Sequence, residues 1–290
     1  GICSLNEGVL RLAFSCLMQL DESGNIHSYQ FVKSVIRSRV KGVYKEINAL
    51  LDGSNDPALV TKYKDVMAQL PAMTELYEKR LALRKARGAM DIESDEAKLV
   101  MDEEGRCVDI VKRTRGVSEC MIEEFMLLAN QCAAHFARVK QIPFVYRVHD
   151  VPDPERIQKL STFISNYGYY MKALGRRNSK VSAEEIHPKE IQKLLQKIEV
   201  TPEEPMIARL TLRSMKQAKY STECTGHFGL ACRYYCHFTS PIRRYPDLQI
   251  HRIIKENLRG RMNDTRKAHY EKILPEVAKH ASEMERRADE

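Results

Sequence analysis

The residues best suited to chemistry lie together in residues 237–248, whose sequence is HFTSPIRRYPDL. Ser240 can cap a helix, and Pro241 suits the first helical position because its missing N–H has no partner there anyway. A helix that begins in this way places Arg243 and Arg244 in its first turn, beside free backbone amides and the positive end of the helix dipole. Two guanidinium groups at such a position suit a phosphate. The stretch therefore predicts an anion-binding helix start, and the competing interpretation is a capped surface helix with two solvated arginines.

The overall charge favours the same class of ligand. The 290 residues contain 47 Lys and Arg against 39 Asp and Glu, which gives a formal net charge of +8. Such a surplus favours polyanions such as nucleic acid, although many basic proteins bind none. No apolar run approaches the roughly 18 residues that a membrane helix needs, and no signal-peptide pattern opens the chain. We therefore expect a cytoplasmic protein without a membrane partner.

The eight cysteines do not indicate a metal site or a disulfide framework. None of them forms a CxxC pair, and we expect reduced, buried thiols. Cys232, Cys236 and His237 are close enough in sequence to suggest zinc, but no second ligand pair accompanies them at the spacing of a zinc finger. The sequence therefore predicts no metal ligands in this chain.

Hairpins and helices must position these residues. Alternating apolar residues around polar turns predict one hairpin over residues 9–37 and a second over residues 99–110. The sequence TPEE at residues 201–204 predicts a capping box at a helix start. The predicted helices cover residues 57–88, 118–140, 154 onward, 202–219, 241–258, 265–273 and 276–290, with Pro275 dividing the last two. The predicted fold class is α+β (mixed), helix-dominated toward the C-terminus.

Several separated motifs resemble one enzyme family, the RNB exoribonucleases, which include ribonuclease II and ribonuclease R. The longest is HFTSPIRRYPDLQIHR at residues 237–252, and GHFGL at residues 226–230 precedes it at the spacing that the family shows. IEEFMLLAN at residues 122–130 and CSLN at residues 3–6 match as well, and LRSMKQA at residues 212–218 favours the ribonuclease R branch. The resemblance covers essentially all 290 residues, so it implies one RNB-like domain over residues 1–290.

The resemblance implies a hydrolytic, processive exoribonuclease. Such an enzyme degrades single-stranded RNA from its 3′ end with magnesium and releases nucleoside 5′-monophosphates. Arg243 matches the catalytic arginine, which stabilises charge on the scissile phosphate. Arg244 and Tyr245 would support it and contact the RNA backbone, and Ser240 and His227 are assigned to RNA binding as well.

Residues elsewhere in the chain are also implied in RNA binding. Tyr44 matches a family tyrosine near the RNA 3′ end, although an ordinary exposed or core tyrosine is the simpler interpretation. Glu123 matches a residue that helps to hold the terminal nucleotide, where a carboxylate can accept a hydrogen bond from a ribose hydroxyl. A solvated helix face is the usual alternative for such a residue. Arg209, Arg213 and Lys216 are predicted to share a helix face that would line an RNA channel, although most basic stripes are solvated.

Two features of the family pattern are missing. Family members hold magnesium with a cluster of aspartates, whereas Asp150 and Asp247 are isolated here. Ile92 occupies a position where relatives commonly place an aromatic that stacks on bases. We therefore expect an incomplete RNB catalytic domain that lacks its aspartate-bearing N-terminal part, its cold-shock domains and its S1 domain. Such a chain would be inactive alone and could self-associate through an exposed sheet edge. The alternative function is a non-catalytic RNA-binding or scaffold module with an RNB-like body.

Overall fold

The computed structural model describes residues 3–90, 97–112, 115–171 and 186–289. The chain divides into two compact units, one formed by Gly1–Leu81 with Glu93–Phe125 and the other by Ala82–Ile92 with Met126–Glu290. Ile92 and the basic segment of residues 176–180 lie outside the described residues. Within the described residues, no helix combines the length and apolar content that crossing a membrane requires.

The first unit opens with the predicted hairpin. Strand β1 (Leu10–Leu20) pairs antiparallel with β2 (Ile26–Arg37). Asp21 closes the turn, because its Oδ1 accepts hydrogen bonds from the backbone N–H groups of Ser23 and Asn25. The second predicted hairpin is also confirmed, as β3 (Ala97–Met101) paired with β4 (Cys107–Lys112).

Three helices follow the first hairpin. They are α1 (Tyr44–Leu51), α2 (Pro57–Tyr63) and α3 (Leu70–Arg87). The prediction of one helix over residues 57–88 was wrong, because the chain is interrupted by a short 3₁₀ turn at Met67–Gln69. Pro71 explains the restart, since a proline inside a continuous helix would lose a hydrogen bond and clash with the preceding turn. Gly88, with φ +98°, lies just past the end of α3 as expected for a helix-terminating glycine.

Helix α4 (Val117–Lys140) spans the range predicted for it. Ser118 lies inside the first turn rather than at the cap, and its Oγ donates to the carbonyl of Tyr44. The side chain of Asn48 donates to the Glu119 carboxylate at 2.8 Å and accepts from the Ser118 N–H at 2.9 Å. These bonds join α1 to the start of α4.

The second unit is mainly helical. Strand β5 (Tyr146–Val148) pairs antiparallel with β6 (Lys219–Ser221). The helices beyond α4 are α5 (Pro154–Ser165), α6 (Pro188–Ile198), α7 (Glu204–Ser214), α8 (Tyr245–Leu258) and α9 (Asp264–Asp289). Buried aliphatic side chains of α5, α6 and α7 form one core cluster, which includes Ile157, Leu160, Ile164, Ile191, Leu194, Ile198 and Ile207. The predicted α+β class, helix-dominated with β-hairpins, is confirmed.

Two helix boundaries differ from the sequence prediction. Helix α7 begins at Glu204 rather than after a Thr201 cap, and the Glu204 carboxylate accepts from the Val200 N–H at 2.8 Å. Helix α9 continues through Pro275. The carbonyl that loses its partner there belongs to Glu271, and both Glu271 and Pro275 are exposed, so water can satisfy that carbonyl.

Candidate nucleic-acid interface

The stretch at residues 237–248 forms a turn followed by a helix. The carbonyl of Ser240 accepts from the N–H groups of Arg243 at 3.3 Å and Arg244 at 3.1 Å. Helix α8 begins only at Tyr245, with Arg244 as its N-cap. The prediction that Ser240 caps the helix was wrong because Pro246 would lie inside a helix that began at residue 241. Such a helix would lose a backbone hydrogen bond at Pro246, whereas a helix that begins at Tyr245 places this proline in its first turn, where no N–H is needed.

Asp247 anchors this turn from the protein interior. Its side chain is fully buried, with 0% exposure, and the side chain of Arg244 is 22% exposed. The carboxylate accepts from Arg244 Nε at 2.9 Å and Nη2 at 2.8 Å, and from the Ser240 N–H at 2.8 Å. Two parallel bonds to one guanidinium fix its orientation as well as its charge. Asp247, isolated in the sequence, therefore holds Arg244 and the start of the turn in place.

Arg243 differs from its neighbour, because its side chain is exposed. Among the described residues no carboxylate lies within 4.0 Å of its guanidinium. It borders a cavity of about 930 Å³, which we call the Arg243 cavity. The cavity is lined by Arg243, Arg244, Tyr245, Tyr220, His280 and Met284, and also by two carboxylates, Glu276 and Glu285, the second of which is paired with Arg147. The backbone of Arg243 is thus fixed by the turn, and its guanidinium is available to bind an anion in this cavity.

A polar network supports the wall of the Arg243 cavity. The Tyr220 hydroxyl lies 2.9 Å from His237 Nδ1, and the guanidinium of Arg147 lies 4.7 Å from the centre of the Tyr220 ring. Arg147 also donates to Glu285 of α9 at 2.5 Å. Burial and the nearby cation of Arg244 lower the pKa of His237 to about 2, and burial raises the pKa of Tyr220 to about 12. Both side chains are therefore neutral near pH 7.

Asn130 connects α4 to the same stretch. Its buried side chain donates to the Tyr235 hydroxyl at 3.1 Å and accepts from the Phe238 N–H at 2.9 Å. Its backbone carbonyl accepts from Cys236 Sγ at 3.2 Å, and burial raises the pKa of that thiol. On the other side, the His251 ring stacks on Phe238 with centroids 4.4 Å apart. Sequence reasoning missed this role because both partners of the Asn130 side chain are distant in the chain.

His227 is partly buried in the second unit. Its Nδ1 accepts from the Leu230 N–H at 3.2 Å, and its ring packs 5.2 Å from His149. Burial and the neighbouring His149 lower the pKa of His227 to about 3. The N–H of Gly229 donates to His149 Nδ1 at 3.1 Å, and a Cβ at Gly229 would lie only 2.9 Å from that nitrogen. These contacts shape the loop at residues 226–230, and a direct RNA contact by His227 stays a prediction.

The basic side chains near α7 are exposed but differently placed than predicted. Arg213 lies in the last turn of α7, whereas Lys216 follows the end of the helix. Arg209 and Arg213, four residues apart on α7, share a helix face as predicted, whereas the prediction was wrong for Lys216. Neither Arg213 nor Lys216 has an ion-pair partner among the described residues. Both remain available to an anionic ligand.

Tyr44 and Glu123 belong to the first unit. Tyr44 is the first residue of α1, and 48% of its surface is exposed. The carboxylate of Glu123 pairs with Arg115, with Oε2 and Nη1 2.9 Å apart. Tyr44 thus offers an exposed aromatic ring and Glu123 a partly exposed carboxylate, and their assigned roles stay predictions.

The described residues do not fit a divalent metal site. No three His, Cys, Asp or Glu side chains among them gather where they could hold an ion. Asp247 is committed to Arg244, and Asp150 is bound by Lys219 at 2.9 Å and Thr225 at 3.3 Å. The hydrogen bond from Lys219 lowers the pKa of Asp150. Metal chemistry is therefore not assigned to these residues.

Comparison with known proteins identifies the class. The RNB domain model matches residues 1–260, so the chain belongs to the RNB family. It is 44% identical to ribonuclease R of Thermotoga maritima over 293 residues, which cover 100% of this chain and 40% of the relative. It is 36% identical to ribonuclease R of Escherichia coli, covering 100% of this chain and 35% of that relative. The predicted family and its ribonuclease R branch are confirmed, and the chain spans about two fifths of these relatives.

Solved structures agree with this assignment. The Mycoplasma genitalium RNase R in complex with ribose methylated single-stranded RNA has a TM-score of 0.84 and is 26% identical, over 98% of this chain and 43% of that chain. Yeast Ssd1, a pseudonuclease, has a TM-score of 0.67 at 20% identity, over 97% of this chain and 33% of that chain. The similarity to Ssd1 shows a shared fold alone.

Proposed function

We propose that the chain is the RNA-holding part of a hydrolytic, processive exoribonuclease that degrades single-stranded RNA from its 3′ end. One observation carries this proposal. At the rim of a cavity, the exposed Arg243 stands next to Arg244, whose guanidinium is fixed by the buried Asp247. The relatives named ribonuclease R support the same activity. The products would be nucleoside 5′-monophosphates.

In this proposal each predicted residue has a defined task. Arg243 stabilises charge on the scissile phosphate, and losing one such donor typically costs about 10²–10³ in rate. Arg244, Tyr245 and the turn at Ser240 contact the RNA backbone. The other assigned contacts are made by Tyr44 and Glu123 at the terminal nucleotide and by His227, Arg213 and Lys216 elsewhere along the RNA.

Membership of the RNB family implies a divalent metal in the full-length enzyme, and we propose that it is Mg²⁺. The described residues do not provide a ligand cluster, so we assign the ligands to aspartates outside the 290 residues. Residues 1–290 would then be a partial catalytic domain that does not cleave RNA alone.

The test is exonuclease activity on single-stranded RNA with a free 3′ end in the presence of magnesium. We expect the 290-residue chain to bind this RNA in a salt-sensitive manner without trimming it. If the wild-type chain trims the RNA and Arg243→Ala does not, the proposal that the metal ligands lie outside the 290 residues is overturned. Absence of RNA binding would overturn the proposed function.

A non-catalytic RNA-binding or scaffold module is the second candidate. The lack of a metal cluster among the described residues accommodates it equally well. The full-length gene product separates the two, because the exoribonuclease requires clustered aspartates in the remaining part of the protein. Finding none there would favour the scaffold.

Cytoplasmic location and self-association are further proposals. The outer part of the first hairpin supports self-association, since Leu10, Leu12 and Val35 are 57%, 89% and 61% exposed. An exposed apolar strand pair is a template for pairing with a second copy. Sedimentation velocity over a range of protein concentrations tests this, and Leu12→Lys should keep the chain monomeric.

A further inference from the structure

A second cavity lies between β6 and α9, and we call it the α9 groove. Its volume is about 360 Å³. The polar side chains that line it include Lys219, Ser221, Thr222, Lys279, Ser282 and Arg286, and no Asp or Glu is among its lining residues. The Ser282 hydroxyl is used within the protein, because it donates to the carbonyl of Ala278 at 2.8 Å. Three cations and the hydroxyl groups of Ser221 and Thr222 therefore remain for a ligand in one groove, which is the chemistry that binds phosphate oxygens.

The floor of the α9 groove is held together by two tertiary contacts of α9. Ser282 Oγ accepts from the N–H of Tyr220 at 2.9 Å, so α9 covers the outer edge of β6. Tyr220 lines both the α9 groove and the Arg243 cavity. Arg147 packs against the Tyr220 ring and donates a hydrogen bond to Glu285, which is a second contact between α9 and the rest of the unit. The α9 groove and the Arg243 cavity therefore share Tyr220 as part of their walls.

The spacing of the cations on α9 suits a polymer with a charge on every unit, such as a phosphodiester chain. Lys279 and Arg286 are seven residues apart, so they share a face to within about 20° and are separated by about 10 Å along the axis. Both are exposed, and no carboxylate lies within 4.0 Å of either one among the described residues. Lys219 is paired with Asp150 but is still 54% exposed. A single small ion would not use cations so far apart, whereas a phosphodiester chain would.

We propose that the α9 groove binds the phosphates of a stretch of single-stranded RNA other than the one at Arg243. This inference rests on the proposed function and extends it to a surface outside the sequence motifs. The groove contributes charge and hydroxyl donors, and its one lining aromatic residue, Tyr220, is only 7% exposed and offers no face for base stacking. The groove therefore holds the strand without regard to base identity. Its contribution to affinity comes from counterion release and depends on salt.

The experiment measures binding of a 5′-labelled oligoadenylate to the 290-residue chain by fluorescence anisotropy at several salt concentrations, with EDTA present. The test variant combines Lys279→Gln with Arg286→Gln. The matched control combines Arg261→Gln with Arg287→Gln, which removes the same charge from exposed arginines outside the groove. Each lost phosphate contact lowers the salt slope by about 0.7 for a single strand, so the test variant should lose about 1.4. The control should keep the wild-type slope.

The outcomes separate the two proposals. If the wild-type chain binds and both double variants keep its slope, the α9 groove is not an RNA site. If both double variants lose slope equally, the effect belongs to net charge and the inference is likewise overturned. If the wild-type chain does not bind the oligonucleotide at all, the proposed function itself is wrong.

Discussion

Arg243 and Arg244 are adjacent in the sequence and are held in opposite ways. Arg244 is clamped by a fully buried carboxylate, whereas Arg243 projects from the turn without an ion-pair partner among the described residues. Arg213, at the end of α7, has a free cation like that of Arg243 but lacks the anchored turn beside it. The difference shows that one residue pair fixes the position of the turn, whereas a different residue supplies the charge for the ligand. Buried pairs fix the backbone, and the neighbouring free cation is offered to the ligand.

The largest effect should follow from Asp247→Ala. Removing this carboxylate leaves Arg244 and the Ser240 N–H without their buried acceptor, and breaking such a pair typically costs about 3–5 kcal/mol. We expect the free energy of unfolding, measured with urea, to fall by that amount. Asp150→Ala is the control, since its pair with Lys219 is partly exposed and should contribute at most about 1 kcal/mol. Equal losses in the two variants would contradict the distinction between an anchoring and a surface pair.

Asn130→Ala should have the next largest effect. It removes the partners of the Tyr235 hydroxyl and the Phe238 N–H inside the protein, where an unsatisfied group costs about 1–3 kcal/mol. Urea unfolding should show this loss together with weaker RNA binding, because the turn behind Arg243 loosens. An unchanged stability would show that water replaces the amide.

Stability should also depend on pH through two partly buried histidines, His227 and His237. Burial lowers the pKa of His237 to about 2 and of His227 to about 3, whereas an unfolded histidine titrates near 6.5. Below about pH 6.5 the unfolded chain therefore binds protons that the folded chain does not, and stability falls as pH falls. Each histidine contributes a slope of about 1.4 kcal/mol per pH unit once its unfolded form is protonated.

His237→Gln tests this assignment. Between pH 6 and pH 4 the variant should lose less stability per pH unit than the wild-type chain, by about 1.4 kcal/mol. The exposed His280→Gln serves as the control. A parallel decline in the wild-type chain and in His237→Gln would show that His237 does not remain neutral in the folded state.

The smallest effect on stability should come from Arg243→Ala and Arg213→Ala. Both side chains are exposed and unpaired among the described residues, so the free energy of unfolding should change by no more than about 0.5 kcal/mol. Each variant should lower the salt slope of RNA binding by about 0.7, because each removes one phosphate contact. In an active full-length enzyme only Arg243→Ala should reduce the rate by about 10²–10³. Equal losses of rate would show that Arg243 has no special position.

Local patterns in the sequence predicted much of the fold. Both hairpins of the first unit and the extent of α4 follow from residue alternation and helical spacing. The Asp153–Pro154 start of α5 is confirmed, with Asp153 accepting from the Glu155 N–H at 2.8 Å. These features depend on residues close together in the chain, which is why the sequence carries them.

The features that the sequence did not reveal depend on tertiary contacts. Asp247 looked isolated because its burial, and its pairing with Arg244, arise only when α8 packs into the second unit. The role of Asn130 could not be predicted because its partners lie 105 and 108 residues away. The Ser240 cap was predicted by local propensity, and Pro246 prevailed because a proline inside a helix costs about 3 kcal/mol or more.

The burial of Cys236 behind Asn130 provides a built-in probe. Its thiol is fully covered and its pKa is raised, whereas Cys3 and Cys107 are exposed. Alkylating reagents attack only accessible thiolates, so Cys236 reacts at the rate at which its surroundings open. Timed maleimide labelling followed by mass spectrometry would therefore measure how often the contacts between Asn130 and residues 235–238 open. The measurement needs no substitution in the chain and can be made with and without RNA.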